Sequence, residues 1–239
     1  MNTVSRQRFE GRIAGVGTTS GSRLVVGRWE HTPLGPFADV MVERADGHRI
    51  LLAPSQEVID VIEATYVFDE VRMEPVRVTE VRRSAGRTWR VTSPSLDLSL
   101  VVGGRAPLGL LLRLVPRRMA TSTRWATAIS PVAGLVVRGV RTRGVARPGR
   151  QEWYGATDLH HVVSARGTLD GRDLGSLAPV DPPCRFGFSS TPRSPSVTHV
   201  VTTIEQQSST CAPPPAPAPA RPAVTPRPPR PARRPAGSP

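Results

Sequence analysis

The sequence predicts an α+β fold that is predominantly antiparallel β, arranged as a barrel or strongly curved sheet with one good helix and a short helical insertion. Two observations support this fold class. Apolar and polar residues alternate in several short segments, as in strands with one buried face. Clear helical periodicity occurs in one segment that follows Pro54.

The N-terminal third predicts four strands. Residues 8–17 and 22–29 form the first two, with a glycine-containing turn between them. Residues 37–43 alternate strictly, and the chain then turns at Asp46-Gly47 into residues 49–53. Because Asp-Gly readily adopts the positive backbone angles of a tight turn, this pair predicts a β-hairpin.

The predicted helix begins after Ser55, whose side chain is suited to cap the first turn. Apolar residues recur at helical spacing on one face, and acidic residues occupy the other. The apolar face contains Val58, Ile59, Ile62 and Tyr66.

The central region predicts more strands and then a change of character. Residues 71–81 read as one long strand bent at Pro75, and residues 89–92 and 96–102 follow as strands. Residues 108–115 and 125–137 are apolar and interrupted by proline, so short helices or turns are favoured.

The last part of the folded region returns to strands. Residues 152–154, 161–165 and 197–204 are predicted strands, and Asp170-Gly171 predicts a turn. We therefore expect a single mostly-β domain over residues 1–205. The Pro/Ala/Arg-rich residues 206–239 predict a disordered tail, because they cannot bury enough apolar surface to offset the entropy of ordering.

Charge excludes several functions. The net charge is +13 and all 32 basic residues are arginine, so Schiff-base and P-loop lysine chemistry are excluded. Residues 1–97 are neutral overall, whereas residues 98–151 contain ten arginines and no acid. The basic character therefore belongs to one internal segment and to the tail.

No metal or cofactor is expected. The two cysteines, Cys184 and Cys211, lack the spacing of a zinc site or a redox dithiol, and no two histidines have the spacing of a helical metal site. The glycines of residues 15–21 precede a strand rather than a helix, which favours a hairpin over a dinucleotide site.

The location is expected to be cytoplasmic, because arginines and Glu10 occupy the N-terminus where a secretory signal would need an apolar run. No apolar stretch is long enough to span a bilayer. No transmembrane segment is therefore predicted, and the sequence leaves the oligomeric state open.

Residues 150–160 hold the richest group of polar side chains. On a strand, Arg150, Glu152, Tyr154 and, beyond Gly155, Asp158 and His160 could share one face and orient a ligand, with Asp39 as a counter-charge. The same groups could instead form a paired internal network between strands, because buried polar groups need partners.

The arginine-rich residues 138–150 are the strongest electrostatic feature. Arg141, Arg143 and Arg150 are candidate contacts for an anion, because guanidinium groups match phosphate and carboxylate. A solvated basic loop, nucleic-acid phosphates and an anionic membrane surface are the other interpretations.

Three sequence blocks, residues 35–43, 105–113 and 152–160, together with residues 185–188, resemble a family of uncharacterised proteins from high-GC bacteria, over roughly residues 9–205. The layout is also similar to the acetoacetate-decarboxylase-like barrel. That resemblance implies an enclosed antiparallel sheet around a small-molecule cavity. The catalytic lysine of that enzyme has no counterpart in this chain.

These observations lead to one main expectation and two alternatives. We expect a domain that binds a small anionic or amphipathic ligand in a barrel-like cavity. One alternative is a lysine-free enzyme in which Glu152, Asp158 or His160 performs acid-base chemistry. The other is a peripheral binder of an anionic membrane or nucleic acid.

Overall fold

A computed structural model describes residues 3–83, 86–120, 122, 143–147, 150–187 and 191–208. These ranges contain thirteen strands and three helices. The strands are β1 Thr3–Thr18, β2 Arg23–His31, β3 Phe37–Glu43, β4 Arg49–Ala53, β5 Glu70–Met73, β6 Arg77–Arg83, β7 Gly86–Thr92, β8 Leu96–Arg105, β9 Arg143–Arg147, β10 Arg150–Leu169, β11 Arg172–Asp173, β12 Leu177–Ala178 and β13 Ser196–Ser208. The helices are α1 Gln56–Glu63, α2 Pro107–Leu114 and α3 Arg117–Ala120.

The strands form one sheet that curls into a half-barrel. Its main path runs β5-β4-β3-β2-β1-β13-β10-β8-β7-β6, and β9, β11 and β12 pair alongside. Every described pair is antiparallel except β4 with β5. The predicted α+β class with a strongly curved, mostly antiparallel sheet is confirmed.

Local sequence signals account for the best-predicted elements. Strands β3 and β4 have the predicted bounds, and Gly47 between them has a φ of +89° that a side chain would disfavour. Helix α1 begins after Ser55, whose hydroxyl accepts a hydrogen bond from the backbone N–H of Val58. The predicted helix in residues 108–115 is α2.

The prediction of one strand over residues 71–81 is wrong. Strands β5 and β6 lie at opposite ends of the main path, and residues 74–76, including Pro75, carry the chain from one edge to the other. Proline lacks a backbone donor and breaks strand pairing, but this local effect does not reveal which strands lie on either side. Conversely, the segments 152–154 and 161–165 belong to one long strand, β10.

The main apolar core lies on the concave face. Leu96, Leu98, Leu100 and Val102 alternate into it from β8, as their spacing predicts. The opposite, convex face is covered by α1 and by residues that include Val180 and Phe186. The sheet therefore packs side chains on both faces, so each face can carry a site.

Two expectations fall partly or wholly beyond the described ranges. Strand β13 runs to Ser208, past the expected domain end at residue 205, and the rest of the predicted tail lies outside the described residues, as do residues 125–137. None of the helices in the described ranges has the length and apolar character needed to cross a membrane.

Candidate functional site

A β-bulge divides the polar group predicted on β10. The pairing of β10 with β13 shifts between Ala156 and Asp158, so Thr157 is an extra residue. An extra residue reverses the alternation of side chains along a strand. Arg150, Glu152 and Tyr154 therefore do not share a face with Asp158 and His160, and that expectation is corrected. Glu152 and Tyr154 face α1, and the other two face the concave side.

The concave side contains a polar cavity, here called the basin, of about 480 Å³. Residues from β1, β7, β8, β10, β13 and α2 line it: Arg12, Arg87, Trp89, Arg105, Arg113, Thr157, Asp158, His160, Val197 and His199. The basin therefore holds four arginines and two histidines against one carboxylate.

Asp158 is held by a two-pronged contact with Arg105. Arg105 Nε and Nη2 donate to the two carboxylate oxygens at 2.8 and 3.1 Å. Burial opposes ionisation of Asp158, but the hydrogen bonds from Arg105 and from the backbone of Leu159 outweigh it and lower its pKa. His160 Nε2 lies 3.5 Å from Oδ2, the oxygen that also accepts from Arg105 Nη2. Asp158 therefore holds both the guanidinium of Arg105 and the imidazole of His160 in place.

Glu80 is a second anchor, beneath the basin floor. It accepts a hydrogen bond from Trp89 Nε1 at 3.1 Å and pairs with Arg12 at 3.0 Å. Arg28 and Arg82 lie at 3.6 and 3.2 Å from the same carboxylate. Arg12 and Arg28 also lie 4.0 and 3.8 Å from Glu30. Guanidinium groups still outnumber carboxylates here, which leaves this end of the interior with surplus positive charge.

The guanidinium groups of two basin arginines make no hydrogen bond or ion pair with any described residue. These are Arg87 on β7, which is half-buried, and Arg113 on α2, which is exposed. Arg87 acts on Glu80 only at longer range, where it contributes to lowering that carboxyl's pKa. The guanidinium of Arg87 is thus available within the cavity.

The bulge also brings a hydroxyl and an imidazole together. Thr157 Oγ1 forms a hydrogen bond with His199 Nδ1, and His199 Nε2 lies 3.9 Å from a carboxylate oxygen of Glu10. This arrangement fixes the orientation of the imidazole at the basin wall.

A second, more open depression of about 660 Å³ adjoins the basin. It shares Arg87, Arg105, Asp158 and His160 with the basin. It adds Arg82 and the backbone of Gly103 and Gly104, where the absence of side chains exposes peptide groups. The basin is therefore open to solvent on the side lined by β7 and β8.

On the convex side, Arg150 and Glu152 form a buried ion pair. The distance from Arg150 Nε to Glu152 Oε1 is 3.2 Å. Thr65 donates a hydrogen bond to the same oxygen, and Arg150 Nη2 donates to the carbonyl of Val61 at 3.1 Å. These contacts tie β10 to the end of α1. Part of the predicted group is thus paired internally, but with the end of α1 and without Asp158 and His160.

The network continues through both tyrosines of the chain. Tyr154 donates to Glu152 Oε2 at 3.1 Å and shares a hydrogen bond with Tyr66. Burial and the nearby negative charge of Glu152 raise the pKa of both phenols. Both side chains therefore stay neutral at physiological pH.

Asp39 lies apart from that network. It is 4% exposed and accepts a hydrogen bond from Trp29 Nε1 at 2.8 Å. Burial raises its pKa to about 6, which the indole hydrogen bond only partly offsets. The sequence proposed Asp39 as a counter-charge for the β10 group. No guanidinium of the described residues forms a hydrogen bond or ion pair with it, whereas Glu43 on the same strand binds Arg23 at 2.9 Å.

Of the remaining predicted contacts, Arg141 lies outside the described residues, and Arg143 begins β9, whose side chains are not described. The sequence interpretation missed Arg12, Arg87, Arg105 and His199. Their only common signal was a basic or imidazole group on a strand, and the pairing of distant strands brings them together.

No group of three or more His, Cys, Asp or Glu residues within the described part of the chain is arranged to hold a metal ion. Comparisons with protein-family models, with curated proteins and with solved structures found no match to the chain. Its fold and side-chain geometry therefore carry the functional argument.

Proposed function

We propose that this protein binds a small anionic ligand in the basin on the concave face of its sheet. One observation carries the proposal. Arg87 lines a cavity of about 480 Å³ and has no hydrogen-bond or ion-pair partner among the described residues. A half-buried guanidinium without an acceptor favours an anion, because its donors lose hydration without gaining a partner.

The other groups of the basin support the same class of ligand. Arg105 and His160 are already oriented by Asp158, and Arg113 adds a further charge at the rim. Ligand pockets commonly have volumes of roughly 300–1,000 Å³. Phosphate esters and di- or tricarboxylates are of suitable size and charge.

Trp89 and Val197 give the basin an apolar part of its floor. An amphipathic anion could place its carbon skeleton there and its charge among the arginines. The orienting groups in this proposal are Asp158 and His160, together with His199, and not Glu152 or Tyr154. The expected role of Arg141 and Arg143 stays a prediction.

Calorimetric titration with pyrophosphate and citrate tests the proposal. Both are expected to bind the wild-type protein saturably, and Arg87→Ala is expected to weaken binding by roughly tenfold, about 1.4 kcal/mol. Arg90→Ala is the matched control, because Arg90 is on the same strand, is largely exposed and pairs with Asp97 at 2.9 Å. If both variants bind as the wild type does, the basin is not the site.

Salt dependence separates the basin from a peripheral surface for nucleic acid or anionic membrane. Surface association through many phosphates is expected to disappear as salt rises toward about 0.2–0.5 M. Binding within the basin is expected to weaken but persist, because its arginines are partly shielded from solvent. Binding of DNA or anionic vesicles at low salt that disappears at high salt, without binding of the small anions at either, would contradict the proposal.

A further inference from the structure

We propose that the convex face carries a second binding site, an aromatic pocket beneath α1 that takes an alkylated ammonium group. The pocket, called here the cation pocket, lies between β1–β3 and the last turn of α1. It is lined mainly by apolar and aromatic side chains. It is separated from the basin by the sheet itself and does not depend on anion binding there.

Aromatic rings surround the cavity. Trp29 is at the centre of the group, with ring centroids 6.1 Å from Phe9 and 6.2 Å from Phe37. Tyr66 and Tyr154, the only tyrosines of the sequence, lie on the other side. Aromatic faces carry partial negative charge and attract organic cations, and several rings around one cavity are the usual arrangement for quaternary ammonium groups.

The charge balance of the pocket also requires a cation. Glu152 is compensated by Arg150 at 3.2 Å. Asp39 is not compensated: among the described residues its side chain accepts a hydrogen bond only from the indole N–H of Trp29, and no cation there lowers its pKa. An ionised carboxylate in an apolar cavity is costly without a counter-charge. A bound ammonium would supply that charge.

Thr202 provides an independent sign of a missing ligand. Its side chain is 4% exposed, it lines the same pocket, and its Oγ1 has no hydrogen-bond partner. Buried hydroxyls without a partner are uncommon in folded proteins. The polarised methyl C–H groups of a bound methylated ammonium, between Thr202 and Asp39, would lie against this oxygen and partly satisfy it.

Gly27 and the size of the cavity limit the ligand. A Cβ at Gly27 would lie 2.2 Å from Asp39 Oδ1, so the glycine leaves room for the carboxylate. The cavity has a volume of about 70 Å³. Because roughly 10–15 Å³ of such cavity volume accommodates one water molecule, the space suits a group of about five non-hydrogen atoms, such as a methylated ammonium. The chain has no lysine and cannot supply such a side chain itself.

Titration of the full chain with tetramethylammonium chloride, followed by tryptophan fluorescence and calorimetry, tests the proposal. Saturable binding is expected beyond the response to an equal concentration of sodium chloride. Asp39→Asn is expected to weaken binding by roughly tenfold or more. Asp60→Asn is the matched control, because Asp60 is exposed on α1 and accepts a hydrogen bond from Gln56.

Two further variants test the pocket with less risk of unfolding the protein. Thr202→Val and Phe37→Leu keep most of the buried volume, and each is expected to weaken tetramethylammonium binding several-fold. Pyrophosphate binding to Asp39→Asn measures whether the basin is intact, so failure of one site is distinguishable from failure of the other. A peptide with trimethyllysine, compared with its unmodified form, determines whether the group comes from a protein or from a free amine.

Affinity is also expected to fall as pH decreases through about 6, because protonation of Asp39 removes its charge. The other ionisable groups that face the pocket are the Arg150–Glu152 pair and the two phenols, Tyr66 and Tyr154. Absence of saturable tetramethylammonium binding, or equal binding by wild type and Asp39→Asn, would overturn the proposal.

Discussion

Arg150 and Glu152 occupy the same face of β10 as a buried ion pair, with 3.2 Å between guanidinium and carboxylate and side chains 8% and 3% exposed. Two charges removed from water stabilise a fold only when each retains its partner. The pair thus couples the centre of the sheet to α1 through Thr65 and Val61.

Removal of Glu152 should therefore destabilise the protein strongly. Glu152→Ala is expected to lower the free energy of unfolding by about 3–5 kcal/mol, because Arg150 would remain buried without its counter-charge. Urea unfolding followed by circular dichroism measures this loss. Asp97→Ala removes an exposed partner of Arg90 and should cost no more than about 1 kcal/mol. Equal losses in the two variants would contradict the interpretation of a buried pair.

Gly167 is expected to tolerate no side chain. A Cβ there would lie 2.1 Å from the carbonyl oxygen of Asp97 on the neighbouring strand, a contact that only a backbone shift relieves. Gly167→Ala should destabilise by about 1–3 kcal/mol, in the range of overpacked sites. Gly104→Ala is the comparison, since a Cβ at that position meets nothing within 4 Å. Thermal unfolding of both variants tests the difference.

Asp39 should make stability fall as pH rises. Burial raises its pKa in the folded protein from the ordinary value of 3.8 to about 6, so the folded protein holds the proton more tightly than the unfolded chain. The stabilising contribution is fully present below the unfolded pKa and is lost as pH rises through about 6. Its size is about 2–3 kcal/mol, from roughly 1.4 kcal/mol per pKa unit.

The measurement compares unfolding free energies of wild type and Asp39→Asn from pH 4 to pH 7. Other carboxyls act in the opposite direction, for instance Glu70, whose pKa the hydrogen bonds from Arg72 and His48 lower to about 2. The difference between the two proteins isolates Asp39. A difference that stays constant with pH would show that Asp39 titrates as it does in the unfolded chain.

Glu80→Gln should strengthen anion binding, on the proposed function of the basin. Glu80 forms an ion pair with Arg12 at 3.0 Å and so neutralises part of the positive charge near the basin. An amide keeps an oxygen for the indole N–H of Trp89 but removes the negative charge. Pyrophosphate affinity is expected to rise by roughly three- to tenfold, a change of about 1 kcal/mol. A calorimetric titration that shows weaker binding would place the anion elsewhere.

Local signals predicted the elements that depend on neighbouring residues. The hairpin at Asp46-Gly47 and the start of α1 at Ser55 follow from backbone preferences and capping within a few residues. The alternation of Leu96, Leu98 and Leu100 likewise predicted their buried face. In each case the determinant lies within the segment itself.

The basin could not be predicted in the same way. At the bulge, the pairing of β10 with β13 changes register: Ala156 lies opposite Val200 and Asp158 lies opposite His199, which leaves Thr157 unpaired. No local pattern marks the extra residue, so regular alternation in the sequence placed Asp158 and His160 on the side of Glu152. Likewise, Arg12 and Arg87 meet only because the sheet curls.

The connection between β5 and β6 also governs how far the half-barrel can open. From Met73 to Arg77 the chain advances four residues, which limits the separation of those points to about 14 Å. The short connection therefore keeps the first and last strands of the path, β5 and β6, close together. Flattening the sheet would require one of those edge strands to leave its neighbour, so the curvature around the basin is fixed by chain connectivity as well as by packing.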